Sequence, residues 1–184
     1  NALEFFTEPA VTSDYVKLAN GNVTSGSSFN INGYFTNTYD VFKLFVSGRT
    51  AWHKIRFNFG SGTTYTSSNY VWISHYGQRS SSTNTSSASG NWNTDYMPLA
   101  YWSGDNADEY HHSETTIYRP WDDSGYAKNI SVQGWDYNST EVHTYNNAGY
   151  LDSQKYNEAM TGLYIFPTSG SMTDTSWILY GLKG

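Results

Sequence analysis

The chain has 184 residues, no cysteine and a formal net charge of -6. That length fits one domain with a core large enough to stand without staples. The charge argues against non-specific nucleic-acid binding. The missing thiols exclude disulfides and thiolate metal sites, and suit a cytosolic or virus-borne assembly better than a small secreted disulfide scaffold.

Seventeen Tyr, seven Trp and nine Phe make 18% of the chain aromatic, against 14% charged. Tyr and Trp beside Ser, Gly and Asn is the composition of antibody contact loops, where rigid amphipathic rings supply contact area. A Ser/Thr-rich β-sandwich with no ligand has the same composition. Composition leaves both readings open. No apolar run approaches the ~20 residues that span a bilayer.

Residues 1–27 carry Leu3, Phe5 and Phe6 and then a polar run, and read as an N-terminal arm or edge segment. Residues 28–184 read as one β-sandwich. In YDVFKLFVSG (39–48), Phe42, Leu44 and Val46 fall on one face, with Val41, Lys43 and Phe45 on the other. In WHKIRFNFG (52–60), Ile55, Phe57 and Phe59 alternate with Lys54, Arg56 and Asn58, a period-2 strand with one wet face. SGTTYTSSN (61–69) has turn chemistry, and YVWISHYG (70–77) reads as a further strand.

Residues 79–94 are low-complexity and polar, and are expected as a long exposed loop anchored by Trp92. ETTIYRP, AKNISVQGW, EVHTY, TGLYIFP and SWILYGL complete the strands, the last spanning residues 176–182. Only LDSQKYNEAM (151–160) has room for a turn or two of helix. Short strands divided by Gly, Ser and Asn turns predict an all-β fold: an antiparallel β-sandwich, jelly-roll-like, with one long polar loop.

Chemistry-bearing motifs are sparse. SGDNADEYHHSE (103–114) gathers Asp105, Asp108, Glu109, His111, His112 and Glu114, but the calcium-loop pattern fails: Thr116 stands twelfth from Asp105. Adjacent histidines on a strand point to opposite faces. A solvated loop is the expectation, with no metal site and no cofactor. Asp122 and Asp123 follow Trp121, and Asp136 follows Trp135, yet no spacing fixes a glycosidase separation. No G-x-S-x-G elbow or phosphate-cradling Gly loop occurs. The sequons at Asn22, Asn84, Asn129 and Asn138 number what chance gives for so much Ser and Thr.

SFNINGYFTNTYDVFKL (28–44), SGTTYTSSNYVW (61–72) and MTGLYIFPTSGSMTDTSWILYGLKG (160–184) stand in the same order as similar stretches in a family of tail-associated bacteriophage proteins. The chain resembles that family over most of residues 28–184, and the closing hairpin is the most specific match. The resemblance implies a jelly-roll-like domain in a virion, trimeric in many members, with no catalytic residues to carry over.

The expected function is therefore a non-enzymatic phage virion protein, a tail fibre or tail-tip component that binds a host surface glycan and other virion proteins. The alternatives are a capsid decoration or scaffold protein, and a carbohydrate-binding module of a secreted enzyme. Trp92, Tyr96, Tyr101, Trp102, Tyr110 and Trp121 are the candidate ligand-binding residues. Half or more of them would be core or subunit contacts on the plainer reading. FKLFV and WILY are apolar on both faces, which predicts a second burial surface at Phe45, Ile178 and Tyr180, expected as the interface of a homotrimer.

Overall fold

The computed structural model describes residues 14–49, 53–80, 82–100, 109–125, 127–138, 140–152, 155 and 157–182. Among them the regular structure is all strand. In chain order the strands are β1 (Tyr15–Gly26), β2 (Phe29–Asn32), β3 (Val41–Arg49), β4 (His53–Phe59), β5 (Thr63–Thr64), β6 (Tyr70–Arg79) and β7 (Asn84–Thr94). They continue with β8 (Met97–Pro98), β9 (Tyr110–Tyr118), β10 (Asn129–Asn138), β11 (Glu141–Leu151), β12 (Met160–Pro167) and β13 (Met172–Leu182).

Eight strands form one sheet in the order β1-β13-β3-β9-β10-β11-β6-β7. A second sheet runs β2-β12-β4-β5, with β8 added to β4. Every pairing is antiparallel, so the fold is the all-β sandwich that the alternation predicts. The ends of the chain nest: β1 and β3 flank β13, while β2 and β4 flank β12. Such wrapping of early strands around late ones is jelly-roll-like.

The core lies between the sheets. Phe42, Leu44 and Val46 of β3 are fully buried, with Leu179, Ile117 and Val132 on neighbouring strands. Ile55, Phe57, Leu163 and Ile165 meet them from the second sheet. Each such side chain contributes about 1.5–3 kcal/mol by leaving water. Tyr70 is buried too, and its hydroxyl is satisfied on both sides: it accepts the Phe57 N–H (2.9 Å) and donates to the Tyr65 carbonyl (3.0 Å).

The closing run divides by face. Leu179 enters the core, and Trp177 stacks on Phe29 at 5.9 Å and 7°, closing the sandwich edge between β13 and β2. Ile178 and Tyr180 point to the outer face of the eight-stranded sheet. Gly181 is there for space: a Cβ would lie 2.5 Å from the Tyr39 ring. The bulge of this strand comes earlier, between Thr173 and Ser176, where Asp174 has a φ of 48°.

Three expectations need correction. Residues 84–94 are not a loop but β7, registered along β6 from Asn84 against Arg79 to Thr94 against Tyr70. The composition misleads because an edge strand needs only backbone partners, and exposed Ser, Thr and Asn suit an unpaired outer edge. Tyr110 to Ser113 belong to β9, where His111 faces inward and His112 outward, rather than to a solvated loop. The stretch 151–160 holds the end of β11, a turn closed by Glu158 N–H to Lys155 carbonyl (3.2 Å), and the start of β12, with no helix among the described residues.

Candidate functional site: an aromatic ladder on the outer sheet face

Alternation sends one residue in two of each strand to solvent. On the outer face of the eight-stranded sheet those residues are unusually aromatic. Tyr15 of β1 meets Tyr180 of β13 edge-on (6.5 Å, 88°), and Tyr180 meets Phe45 of β3 the same way (5.9 Å, 88°). Phe45 leans on His112 of β9, and His112 on Trp135 of β10, each at 6.3 Å and 32°. Five rings from five adjacent strands thus form an unbroken diagonal ladder. Edge-to-face pairs at these distances are favourable by ~0.5–1.5 kcal/mol each, so the rings hold one another in place.

The ladder is partly open to solvent. Tyr15 is 42% exposed and Trp135 46%. All of its rings but Trp135 line a surface cleft of about 570 Å³, with Ile178 and Ser176 beside them. At its upper end Tyr137 and Tyr110 face each other across β10 and β9. Arg49 caps this end: its guanidinium sits 4.6 Å over the Tyr110 ring, donates to the Tyr110 hydroxyl, and reaches Asp174 at the β13 bulge (3.6 Å).

Polar side chains fix the geometry. Ser47 Oγ and His112 Nδ1 share a hydrogen bond of 2.6 Å, which sets the imidazole plane. Lys43 and Glu114 form an ion pair along the cleft wall. The bond to Glu114 raises the Lys43 ammonium above its usual range, against the opposing pull of burial. The cleft therefore carries one positive and one negative group, already paired. Behind Trp135, Gly134 leaves room for the buried Tyr145, whose hydroxyl donates to the His112 carbonyl (3.2 Å). A Cβ at Gly134 would lie 2.3 Å from that carbonyl oxygen and 2.4 Å from the Tyr145 hydroxyl.

The residues singled out from sequence do not converge on one place. Trp92, 69% exposed on β7, lines a second cleft of about 700 Å³ with Ile73, Ala148 and Tyr150. Tyr110 joins the upper end of the ladder. Tyr96 lies against the other sheet, with the Lys54 ammonium 3.7 Å over its ring. Trp121 is half-buried; its indole donates to the Tyr39 carbonyl (2.7 Å) and it packs against the core, away from the ladder. Tyr101 and Trp102 lie outside the described residues. Phe45, Ile178 and Tyr180, expected as a subunit interface, all line the first cleft. His112, Trp135 and Tyr137 were missed. Their signal was the period-2 pattern itself, read for what faces outward rather than inward.

The carboxylate and histidine candidates go elsewhere. Asp122 accepts from Ser124 N–H (2.9 Å) and hydroxyl in a turn between β9 and β10, bonds that hold its carboxyl below the usual range. Asp136 faces inward, fully buried against His143 Nδ1 at 2.6 Å, with Glu141 at 3.5 Å from the opposite ring nitrogen. His111 stacks edge-on against His53 at 4.1 Å, both buried, and none of their four ring nitrogens has a hydrogen-bond partner. Burial lowers both imidazoles, His111 to about 3. Asp105 and Asp108 lie outside the described residues, and among those described no group of three or more His, Asp or Glu side chains is arranged to hold a metal ion.

No family model, no curated protein and no solved structure matches the chain.

Proposed function

We propose that this chain is a non-enzymatic binding module that holds a glycan across the outer face of the eight-stranded sheet. The carrying observation is the ring ladder from Tyr15 to Trp135. Exposed Tyr and Trp rings offer an apolar face to the C–H surface of a sugar and a polar tip to its hydroxyls. Neighbouring positions on the same face carry Glu114, Gln133 and Thr144, which hydrogen-bond without adding net charge once Lys43 is paired. Apolar surface with a few placed polar groups is the common form of a small-ligand site.

The biological setting belongs to the same proposal. The closing hairpin resembles that of phage tail-associated proteins, so the module works on the virion, as a tail fibre or tail-tip component facing the host. In a homotrimer its subunit contacts then lie on other surfaces, leaving Phe45, Ile178 and Tyr180 to the ligand. A capsid decoration role predicts labelling on the capsid instead of the tail.

The test is affinity electrophoresis through gels containing amylose, hydroxyethylcellulose, mannan or host surface polysaccharide. At least one should retard the protein. Trp135→Ala combined with Tyr180→Ala should weaken that retention about tenfold or more, two rings at ~0.5–1.5 kcal/mol each. Retention by none, or retention untouched by the double substitution, defeats the reading.

A further inference from the structure

The second cleft lies on the same sheet face as the ladder. Cross-strand register ties the two together: Tyr180, Lys43, Thr116, Ser131, Ala148 and Ile73 form one row across β13, β3, β9, β10, β11 and β6. Tyr180 marks the first cleft, and Ile73 the second, which Trp92 also lines. Five strand spacings separate Tyr180 from Ile73, roughly 24 Å at ~4.8 Å per strand, and the linings approach each other between them: the first cleft reaches Lys43 and Glu114, the second Ser131.

What lies between is polar. Thr116 and Ser131 occupy the middle of that row, and the next row carries Glu114, Gln133, Asn146 and His75. Gln133, Asn146 and His75 are exposed. A subunit interface has the opposite plan, with an apolar centre and a polar rim. Here aromatic clefts stand at both flanks and hydrogen-bonding side chains at the centre. A second copy of this sheet would bury that centre with few matched partners. A chain of sugars presents ring faces and hydroxyls along its whole length.

We infer that the two clefts are the end subsites of one track, occupied by a single extended, neutral polysaccharide chain. This rests on the glycan reading above and adds to it the ligand class and its mode of engagement. One end of the chain stacks on the ladder, its middle hydroxyls meet Thr116, Ser131, Gln133 and Asn146, and its far end stacks on Trp92. An acidic polymer does not fit: the protein is net anionic, and the one lysine in the first cleft is already paired with Glu114. Two weak subsites joined by one ligand reinforce each other once the ligand is long enough to reach both.

The experiment is calorimetric titration of the full chain with graded oligosaccharides: maltose to maltoheptaose, cellobiose to cellohexaose and mannobiose to mannohexaose, with the parent polysaccharides as the long limit. Affinity should climb steeply once the chain spans both clefts and then level off. Trp92→Ala should lower affinity tenfold or more for chains that span the track, and leave the shortest ligands unchanged. Trp135→Ala should weaken short and long ligands alike. Trp92 stands 69% exposed, so its replacement leaves the core intact, which far-UV circular dichroism checks. Polysaccharide binding that is independent of length, or indifferent to Trp92→Ala, overturns the track while leaving the glycan reading in place. No binding by any ligand at any length overturns both.

Discussion

His53 and His111 sit ring against ring between the sheets, with no partner for any of their nitrogens. Burial without hydrogen bonds costs ~1–3 kcal/mol per polar group, so this pair is a weak point in the core. It also has a sign. Burial holds both imidazoles below the usual range; His111 lowers His53 further, and His112 lowers His111, which reaches about 3. An unfolded chain takes up protons on these side chains near pH 6.5, and the folded chain refuses them. Stability is therefore complete above that pH and declines as the pH falls toward about 3, by up to ~1.4 kcal/mol per pH unit for each histidine. Urea unfolding at pH 7.5 and pH 5.5 measures this directly. His53→Phe with His111→Leu should flatten the dependence across that window; an equal slope in the variant means the pair does not carry it. The sequence placed His111 and His112 on opposite faces, since neighbours on a strand alternate. It had no means of placing His53 against His111, because that contact joins strands of two different sheets.

At the scale of the strand, legibility followed apolar content. β3, β4, β12 and β13 announce themselves through core residues at every second position, and their faces were read correctly: Phe42, Leu44 and Val46 go inward, and Ile178 and Tyr180 outward. β7 was illegible because it contributes no residue to the core. It exists through hydrogen bonds to the β6 backbone, in a register running from Asn84 opposite Arg79 to Thr94 opposite Tyr70. A strand held only by its ladder opens more readily than one fixed by packing. Amide hydrogen exchange should show β7 exchanging well before β3 and β13, whose Leu44 and Leu179 are fully buried. Protection of β7 equal to that of β3 would contradict this. The outward rings of the ladder were hidden for a related reason. Trp135 and Tyr137 lie two apart in β10 with Asp136 between them, and that strand drew attention for its inward carboxylate, while the rings facing water carry the ladder.

Across the whole molecule the two outer faces differ in kind. On the smaller sheet, rings are covered by cations: Lys54 lies over Tyr96 and Arg56 over Phe166, with Arg56 also paired to Asp95. On the larger sheet Arg49 lies over Tyr110 at the upper end, but the five rings of the ladder are stacked on each other, and the lysine in their cleft, Lys43, is paired with Glu114. A ligand held there is held by stacking and by neutral hydrogen bonds, in a protein whose net charge is -6. Salt then has little to act on. Ions screen separated charges over ~10 Å at 0.1 M, but hardly alter a ring lying on a sugar. Affinity for a neutral polysaccharide should stay within about twofold between about 50 and about 500 mM sodium chloride, a range over which an interaction between opposite charges fades. An acidic polysaccharide such as polygalacturonate should bind more weakly at the low end of that range, where repulsion by the anionic surface is least screened. Gel retardation at the two salt concentrations, with neutral and acidic polymers side by side, reads both effects. A steep loss of neutral-glycan binding with salt would mean that charged side chains, and not the ladder, hold the ligand.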